Sequence, residues 1–474
     1  MKMKIEQIYT GCLAQGAYYI TSKGEAAIID PLREIKPYLE RAKKDNVKIK
    51  YIFETHFHAD FVSGHIDLAK ETGAKIIYGP TAKPAFDCIV AKDGEVFNLG
   101  DVKIKVLHTP GHTMESSSFL ITNEKGNDTA IFTGDTLFIG DVGRPDLAQK
   151  AANMTMEQLA ATLYHSLRNK IMTLDDNITV YPAHGAGSAC GKNMSKETIS
   201  TIGEQKRTNY ALRSDMTEGE FVKEVTDGLL PPPKYFPMNV AMNKMGYENI
   251  DKVMERGLKP MNADEFEAAA NETDAVMLDT RNDSVFCKGF IPNSVNISLD
   301  GQFAPWVGAL IPDVNQQLLI ISEPGREEES IMRLARVGYD KVIGYLNGGF
   351  DSWVKAGKET DTVNRITTSE FEKIYEKEKP LVIDVRKPGE YNAEHVDGSI
   401  NIPLDYINES LAEFPKDKNF IIHCAGGYRS MTTASILKSR GWNDFREVEG
   451  GYDSIKGTNV PKTDLVCTSK VQKA

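Results

Sequence analysis

No apolar run in the chain approaches the ~20 residues that a bilayer-crossing helix needs, so no membrane span is expected. The amino terminus, Met1 to Ile8, moves straight into an alternating pattern. It lacks the apolar block and small-residue cleavage site of a secretory signal, and the expected location is the cytoplasm. Cysteine is sparse: Cys12, Cys88, Cys190, Cys287, Cys424 and Cys467 are scattered without any Cys-x-x-Cys spacing, which indicates neither a disulfide framework nor a thiolate zinc site. Positive charge is in deficit. A net charge of -11 disfavours nucleic acid and anionic membrane as partners, because both are held by basic surface. Histidine is nearly missing from the second half, where only His395 and His423 lie beyond residue 190. Imidazole-based metal chemistry therefore belongs to the first half.

What is present fits a globular chain of several domains, with 474 residues, 41% hydrophobic and 26% charged. Short β-like runs at Ala26–Asp30 and Lys50–Glu54 alternate with helix-patterned stretches from Ile35 to Lys44 and from Gly64 to Thr72. That alternation predicts an α/β sandwich. Candidate ligands fall just past strand ends: His56, His58 and Asp60 after the second run, His112 after Val106–Leu107, Asp135 after Ala130–Thr133, and His184 after Thr179–Tyr181. Loops at strand ends are free to aim side chains into a common cleft. A lone histidine is usually structural, and His65, His108 and His165 are read that way; six ligand-type residues at matched positions point to a metal site.

The texture changes between about Leu229 and Lys259, where a triple proline precedes a Met- and Asn-rich stretch. It reads as a packed connector and not a catalytic segment. Beyond it the chain repeats itself at about a hundred residues, a period suited to a duplicated domain. Val276–Arg281 matches Leu381–Arg386, Phe290–Ile297 matches His395–Ile402, Leu318–Ser322 matches Asn419–His423, and Leu346–Phe350 matches Val448–Tyr452. Each copy alternates strand and helix, which predicts a parallel sheet with helices on both faces.

The order His56, His58, Asp60, His112, Asp135, His184 resembles the metallo-β-lactamase superfamily over about residues 1–245, and implies its αββα sandwich. In that superfamily a further histidine usually follows the first aspartate and helps to hold a second metal. Here Phe61 stands in its place, and an apolar ring cannot ligate. The run from Thr55 to His65, with Gly111–Thr113, Gly134–Thr136 and Gly143–Asp146, is similar to the persulfide dioxygenases. That resemblance implies one Fe(II) per chain held by His56, His112 and Asp135, with His58, Asp60 and His184 beside them orienting ligands or water, or ligating in an alternative site. Two imidazoles and a carboxylate suit ferrous iron with open positions, although recombinant protein is expected to take up zinc as well. Arg144 is a candidate contact for an anionic thiol substrate, its alternative being an ion pair with Asp146.

In the last segment a strand ending at His423 runs into Cys424-Ala-Gly-Gly-Tyr-Arg429 and then a helix. A cysteine on a Gly-containing loop at a helix N-terminus can be ringed by backbone N–H groups that favour an anionic sulfur. With Asp384–Arg386 and Glu394–Pro403 upstream, the segment resembles a rhodanese domain over about residues 365–460. The resemblance makes Cys424 the nucleophile that carries a persulfide sulfur, and Arg429 the holder of an oxyanion substrate. In the earlier copy, about 260–358, Glu323 aligns with Cys424. A carboxylate cannot carry transferable sulfur, so this copy is expected to be an inactive spacer or docking element, with Cys287 incidental.

The expectation is therefore a metallo-β-lactamase-like domain at 1–245 with a connector to about 259, an inactive rhodanese-like domain at 260–358 and an active one at 365–460. The resemblance implies oxidation of a low-molecular-weight thiol persulfide by oxygen to sulfite, coupled to sulfur transfer giving thiosulfate, and a homo-oligomeric assembly. The alternative is a zinc-dependent thioester hydrolase of the glyoxalase-II type with the same rhodanese fusion, in which a metal-bound hydroxide attacks the thioester.

Overall fold

A computed structural model describes residues 3–229 and 231–465. Leu230 of the connector and Cys467 lie outside the described residues. Chain contacts divide the molecule into two compact units, Met1–Ile250 with Ala335–Gly338, and Asp251–Leu334 with Tyr339–Ala474.

The first unit is built on two six-stranded sheets. One contains β1 (Lys4–Thr10), β2 (Gln15–Ser22), β3 (Glu25–Ile29), β4 (Lys48–Phe53), β5 (Lys75–Tyr78) and β6 (Ile89–Val90) in sequential order. The other contains β7 (Val96–Leu99), β8 (Val102–His108), β9 (Ser117–Thr122), β10 (Asp128–Gly134), β11 (Thr179–Pro182) and β12 (Ser200–Thr201), again as neighbours in sequence. Period-two side-chain alternation explains the layering. Tyr18, Ile20, Ala27 and Ile29 meet Ile104, Phe119, Ile121 and Phe132 between the sheets. Their sequence neighbours Ala17, Tyr19, Ala26 and Ile28 face the opposite way and pack with Tyr38, Ala42 and Leu68 of the helices Lys36–Asp45 and His65–Thr72. On the far side of the second sheet, Leu120, Ile131 and Val180 pack with Ala160 and Leu163 of the helix Met156–Ser166. The result is the αββα sandwich.

Strand direction brings the candidate ligands together. β8 and β10 each lie antiparallel to β9, and β11 is parallel to β10, so β8, β10 and β11 all end at one edge. The loop after β4 is tied to that edge by the Ser117 N–H, which donates to the Thr55 carbonyl at 2.9 Å.

The second unit contains two five-stranded sheets, each with every strand pair parallel. The strands are β13 (Pro260–Met261), β14 (Val276–Asp279), β15 (Val295–Asn296), β16 (Leu318–Ile321) and β17 (Val342–Leu346), then β18 (Arg365–Ile366), β19 (Leu381–Asp384), β20 (Ile400–Asn401), β21 (Phe420–His423) and β22 (Phe445–Val448). The orders β13-β17-β16-β14-β15 and β18-β22-β21-β19-β20 are the same path drawn twice. Duplication extends to buried polar bonds. Arg281 pairs with Asp279 and donates to the Gly289 carbonyl, while Asn296 donates to the carbonyls of Asp279 and Arg281. Arg386, Asp384, Glu394 and Asn401 repeat every one of these bonds. Among the described residues no helix is long and apolar enough to cross a membrane.

Phe119 is fully buried between the sheets, its ring 4.8 Å from that of Phe53. Phe119→Ala should lower stability by ~3–5 kcal/mol, the range for emptying a large aromatic site, read as a lower urea midpoint.

Candidate metal centre and cysteine loop

At the common strand edge, ligand atoms of His56, His112 and Asp135 all lie within 4.8 Å of one another, and all three residues are buried. His112 Nε2 is 3.4 Å and His56 Nε2 3.9 Å from Asp135 Oδ2. The other ring nitrogens are already used. His112 Nδ1 donates to the Arg144 carbonyl at 2.9 Å, and His56 Nδ1 lies 2.9 Å from Thr55 Oγ1, whose own proton goes to Asp30 Oδ2. Each ring is thereby held in the tautomer that leaves a bare lone pair on Nε2. His184 is held likewise, with Nδ1 3.2 Å from the Ala14 carbonyl and Nε2 3.6 Å from Asp135 Oδ1.

Buried polar atoms normally find partners. Here His56 Nε2, His184 Nε2 and both carboxylate oxygens of Asp135 have no hydrogen-bond partner. These converging lone pairs on buried atoms are the donor set a divalent cation satisfies. Burial and the imidazoles of His58, His112 and His184 hold His56 well below the usual histidine range, so the ring is neutral and able to ligate.

His58 faces elsewhere. Its Nε2 lies 3.1 Å from Asp30 Oδ1 and 3.4 Å from Glu54 Oε2, and its ring stacks on Phe61 at 4.3 Å. Burial opposes its charge, but Asp30 and Glu54 overcome that and hold it well above the usual range. With Asp30 and Glu54 it forms a buried group of its own, whose ligand atoms lie within 4.8 Å of one another. His65 completes this buried group, Nδ1 3.3 Å from Glu54 Oε1. Asp60 stands with His184, Oδ2 to Nε2 3.4 Å, and burial raises its carboxyl against the pull of His184 and His58.

Cys190 and Asn243 take positions that the sequence did not mark, while Arg144 takes up the alternative stated for it, the pair with Asp146. Cys190 is buried and groups with Asp60 and His184 within 4.8 Å; burial pushes its thiol well up. Its signal was a Gly- and Ser-containing loop starting directly after His184. Arg144 forms a two-pronged pair with Asp146, 2.7 Å on each arm, and donates to the Ala189 carbonyl, while its own carbonyl fixes His112. The connector is packed, and it also braces the site. Asn243, on the helix Phe236–Met245, donates to the carbonyls of His58 and Phe61 at 2.8 and 2.7 Å and accepts from Ser63 N–H. No local pattern marks Asn243, because its partners lie about 180 residues away.

Close backbone approach shapes the centre at two glycines. Gly134 has φ +52°, and a Cβ there would meet Thr55; a Cβ on Gly143 would come within 1.9 Å of the Asp135 carbonyl and 3.1 Å of His112 Nδ1.

In the second unit Cys424 directly follows β21 and is fully buried. Gly427, at φ +110°, turns its N–H toward Sγ at 3.1 Å, and Ser430 Oγ lies 3.4 Å from the same sulfur. Arg429, expected to face an oxyanion, is bound at 2.6 and 2.8 Å to Glu390 of the helix Pro388–Ala393. In the earlier copy, Ser322 and Glu323 follow β16 in the places of His423 and Cys424. Arg326 of that loop pairs with Asp300 and Glu329. Cys287 sits near Arg365, Glu447 and Asp283, and burial pushes its thiol up.

Gly143→Ala should cut the metal content of the purified protein several-fold while the Cys424 loop keeps its reactivity, measured by elemental analysis beside Cys424 alkylation. Asn243→Ala should lower metal affinity ~10–100-fold, the usual cost of losing a group that holds a ligand loop, measured by competition with a chelator.

Residues 10–184 match the family described as "Metallo-beta-lactamase superfamily", and 262–356 and 367–458 match "Rhodanese-like domain". A cytoplasmic hydroxyacylglutathione hydrolase of Arabidopsis thaliana is 30% identical over 237 residues, 46% of this chain and 90% of its own length. The mitochondrial persulfide dioxygenase ETHE1 of Homo sapiens is 29% identical over 221 residues, 46% of this chain and 78% of its own. A crystal structure of a metallo-beta-lactamase from Staphylococcus aureus subsp. aureus COL aligns at TM-score 0.62 and 30% identity, covering 73% of this chain and 98% of that one. With an αββα sandwich holding His56, His112 and Asp135 at one edge and two parallel sheets behind it in sequence, the chain belongs to the metallo-β-lactamase superfamily and carries two rhodanese-like domains.

Proposed function

We propose that the first unit is a non-haem iron persulfide dioxygenase and that the Cys424 domain is a sulfurtransferase, the pair acting on sulfane sulfur carried by a small thiol. The observation that carries this reading is the division of labour among the histidines. His56, His112 and Asp135 direct free donor atoms at one point, while His58 is committed to Asp30 and Glu54 and stacks on Phe61. Two imidazoles and one carboxylate make a single-metal set suited to Fe(II) with open positions.

His56, His112 and Asp135 would hold the iron. When bound, it supplies the oxidative chemistry that side chains lack. The protein's part is to orient and to control protons and water. Thr55 and the Arg144 carbonyl keep the two rings aimed, and Asp60 and His184, with Oδ2 3.4 Å from Nε2, line the adjoining space. Overall, thiol persulfide, oxygen and water give thiol, sulfite and two protons. Cys424 accepts a sulfane sulfur on Sγ and passes it on, sulfite being an acceptor that yields thiosulfate. Glu323 leaves the middle domain without a sulfur nucleophile at that loop.

A zinc-dependent thioester hydrolase is the second reading, favoured by the separate group of Asp60, His184 and Cys190, which offers donors for another metal, and by the 30% identity to a hydroxyacylglutathione hydrolase. Oxygen uptake separates the two. Iron-loaded protein given a thiol persulfide should consume oxygen and release sulfite, and zinc-loaded protein should not; thioester cleavage by the zinc form without oxygen would establish the hydrolase instead. Cys424→Ser should leave sulfite formation intact and abolish thiosulfate formation, read by quantifying both anions in one sample.

A further inference from the structure

Behind the Cys424 sulfur lies a second polar group. Ser430 Oγ is 3.4 Å from Sγ, 2.6 Å from Glu447 Oε1 and 3.0 Å from the Gly427 carbonyl, and Cys424, Ser430 and Glu447 are all fully buried. Glu447, on β22, accepts from Arg365 Nε at 2.7 Å. Arg365 also donates through Nη2 to Asp283 Oδ2 at 2.7 Å, so its charge is divided between two carboxylates, one of them from the middle domain. The titratable and charged groups around Glu447 are thus Arg365 on β18, Asp283 and Cys287 at the helix Asp283–Phe286, and Cys424 after β21, which Glu447 reaches through Ser430.

A hydroxyl has one proton to give. While Glu447 is ionised, the short contact takes that proton, and Ser430 presents only lone pairs to the sulfur. Once Glu447 is protonated, it donates to Ser430, whose proton is released toward Sγ. Burial pushes the Glu447 carboxyl up to about 7 against the opposing pull of Arg365 and Ser430. Both arrangements are therefore accessible near neutral pH.

We propose that Glu447, acting through Ser430, takes up the proton that Cys424 gives up on becoming a sulfur anion, and is a positioning residue for sulfur transfer. The inference rests on the sulfurtransferase reading of Cys424. With thiosulfate as donor, Sγ attacks the sulfane sulfur; a bond forms between these two, the bond to the sulfonate sulfur breaks, and its electron pair leaves on sulfite. The proton on Sγ passes to Ser430 Oγ and the Ser430 proton to Glu447 Oε1. One negative charge has moved from the carboxylate to the terminal sulfur. The buried pocket thereby loads sulfur without a change in net charge, which spares the cost of adding an unpaired buried charge. Ser430 ends as a donor to the anion it helped to form.

The test is infrared difference spectroscopy on the full-length protein, thiosulfate-loaded minus resting, at mildly alkaline pH where resting Glu447 is ionised. Mass spectrometry follows the added sulfur on Cys424. Loading of the wild type should produce the C=O band of a protonated carboxyl, shifted in D2O. The band should be missing from Glu447→Gln and from Ser430→Ala. Both variants should show a kcat for sulfur transfer to cyanide lower by ~100-fold, the low end for losing a positioned proton acceptor, with KM for thiosulfate unchanged and the pH inflection lost, and Ser430→Thr should restore most of the rate. A loaded wild type without the band, or a band persisting in either variant, overturns the relay. Wild type that takes up no sulfur overturns the relay together with the sulfurtransferase reading. Ser430→Ala keeps the Glu447–Arg365 pair, so it decides the matter if Glu447→Gln fails to fold.

Discussion

At the common strand edge of the first unit stands a buried carboxylate whose two oxygens have no hydrogen-bond partner. Asp135 is buried where β10 ends, within reach of His56, His112 and His184. Folds rarely leave carboxylate oxygens buried without partners, and these lie among the imidazoles of His56, His112 and His184, a donor set that fits a cation. The supporting structure follows from that constraint. Each ring must present a bare Nε2, which requires its Nδ1 to be engaged, and the Arg144 and Ala14 carbonyls and Thr55 do this for three histidines. Gly134 and Gly143 have no side chain because the ligand loops pass where a Cβ would lie.

The same logic separates His58 from its neighbours. Two positions along the chain from His56, it belongs to a different electrostatic environment, in which Asp30 and Glu54 favour its charged form. Phe61 closes the other face of the ring.

The two rhodanese-like domains share one architecture and differ at the loop where the proposed nucleophile stands. Their strand orders and the Asp–Arg–Asn bonding at the sheet edge are the same. In the loop after the fourth strand, Glu323 stands in one copy and Cys424 in the other. The middle copy still contributes to its neighbour, since Asp283 shares Arg365 with Glu447 behind the cysteine loop. The middle domain thus takes part in setting the charge around the Cys424 loop.

Local pattern carried the fold class, the duplication and most of the candidate site, because strand alternation, strand-end histidines and the loop from Cys424 to Arg429 are all expressed within a few residues. The sequence by itself determined which residues have lone pairs or nucleophilic sulfur to offer, and that position 61 has none. Partnership across distance was not written there. Arg429 turned out to be bound to Glu390, Cys190 joined Asp60 and His184, and Asn243 came from a connector to hold the histidine loop. Only the tertiary structure decided these, since a side chain's charge state and aim depend on the groups that burial packs around it, and those come from chain segments whose spacing carries no local period.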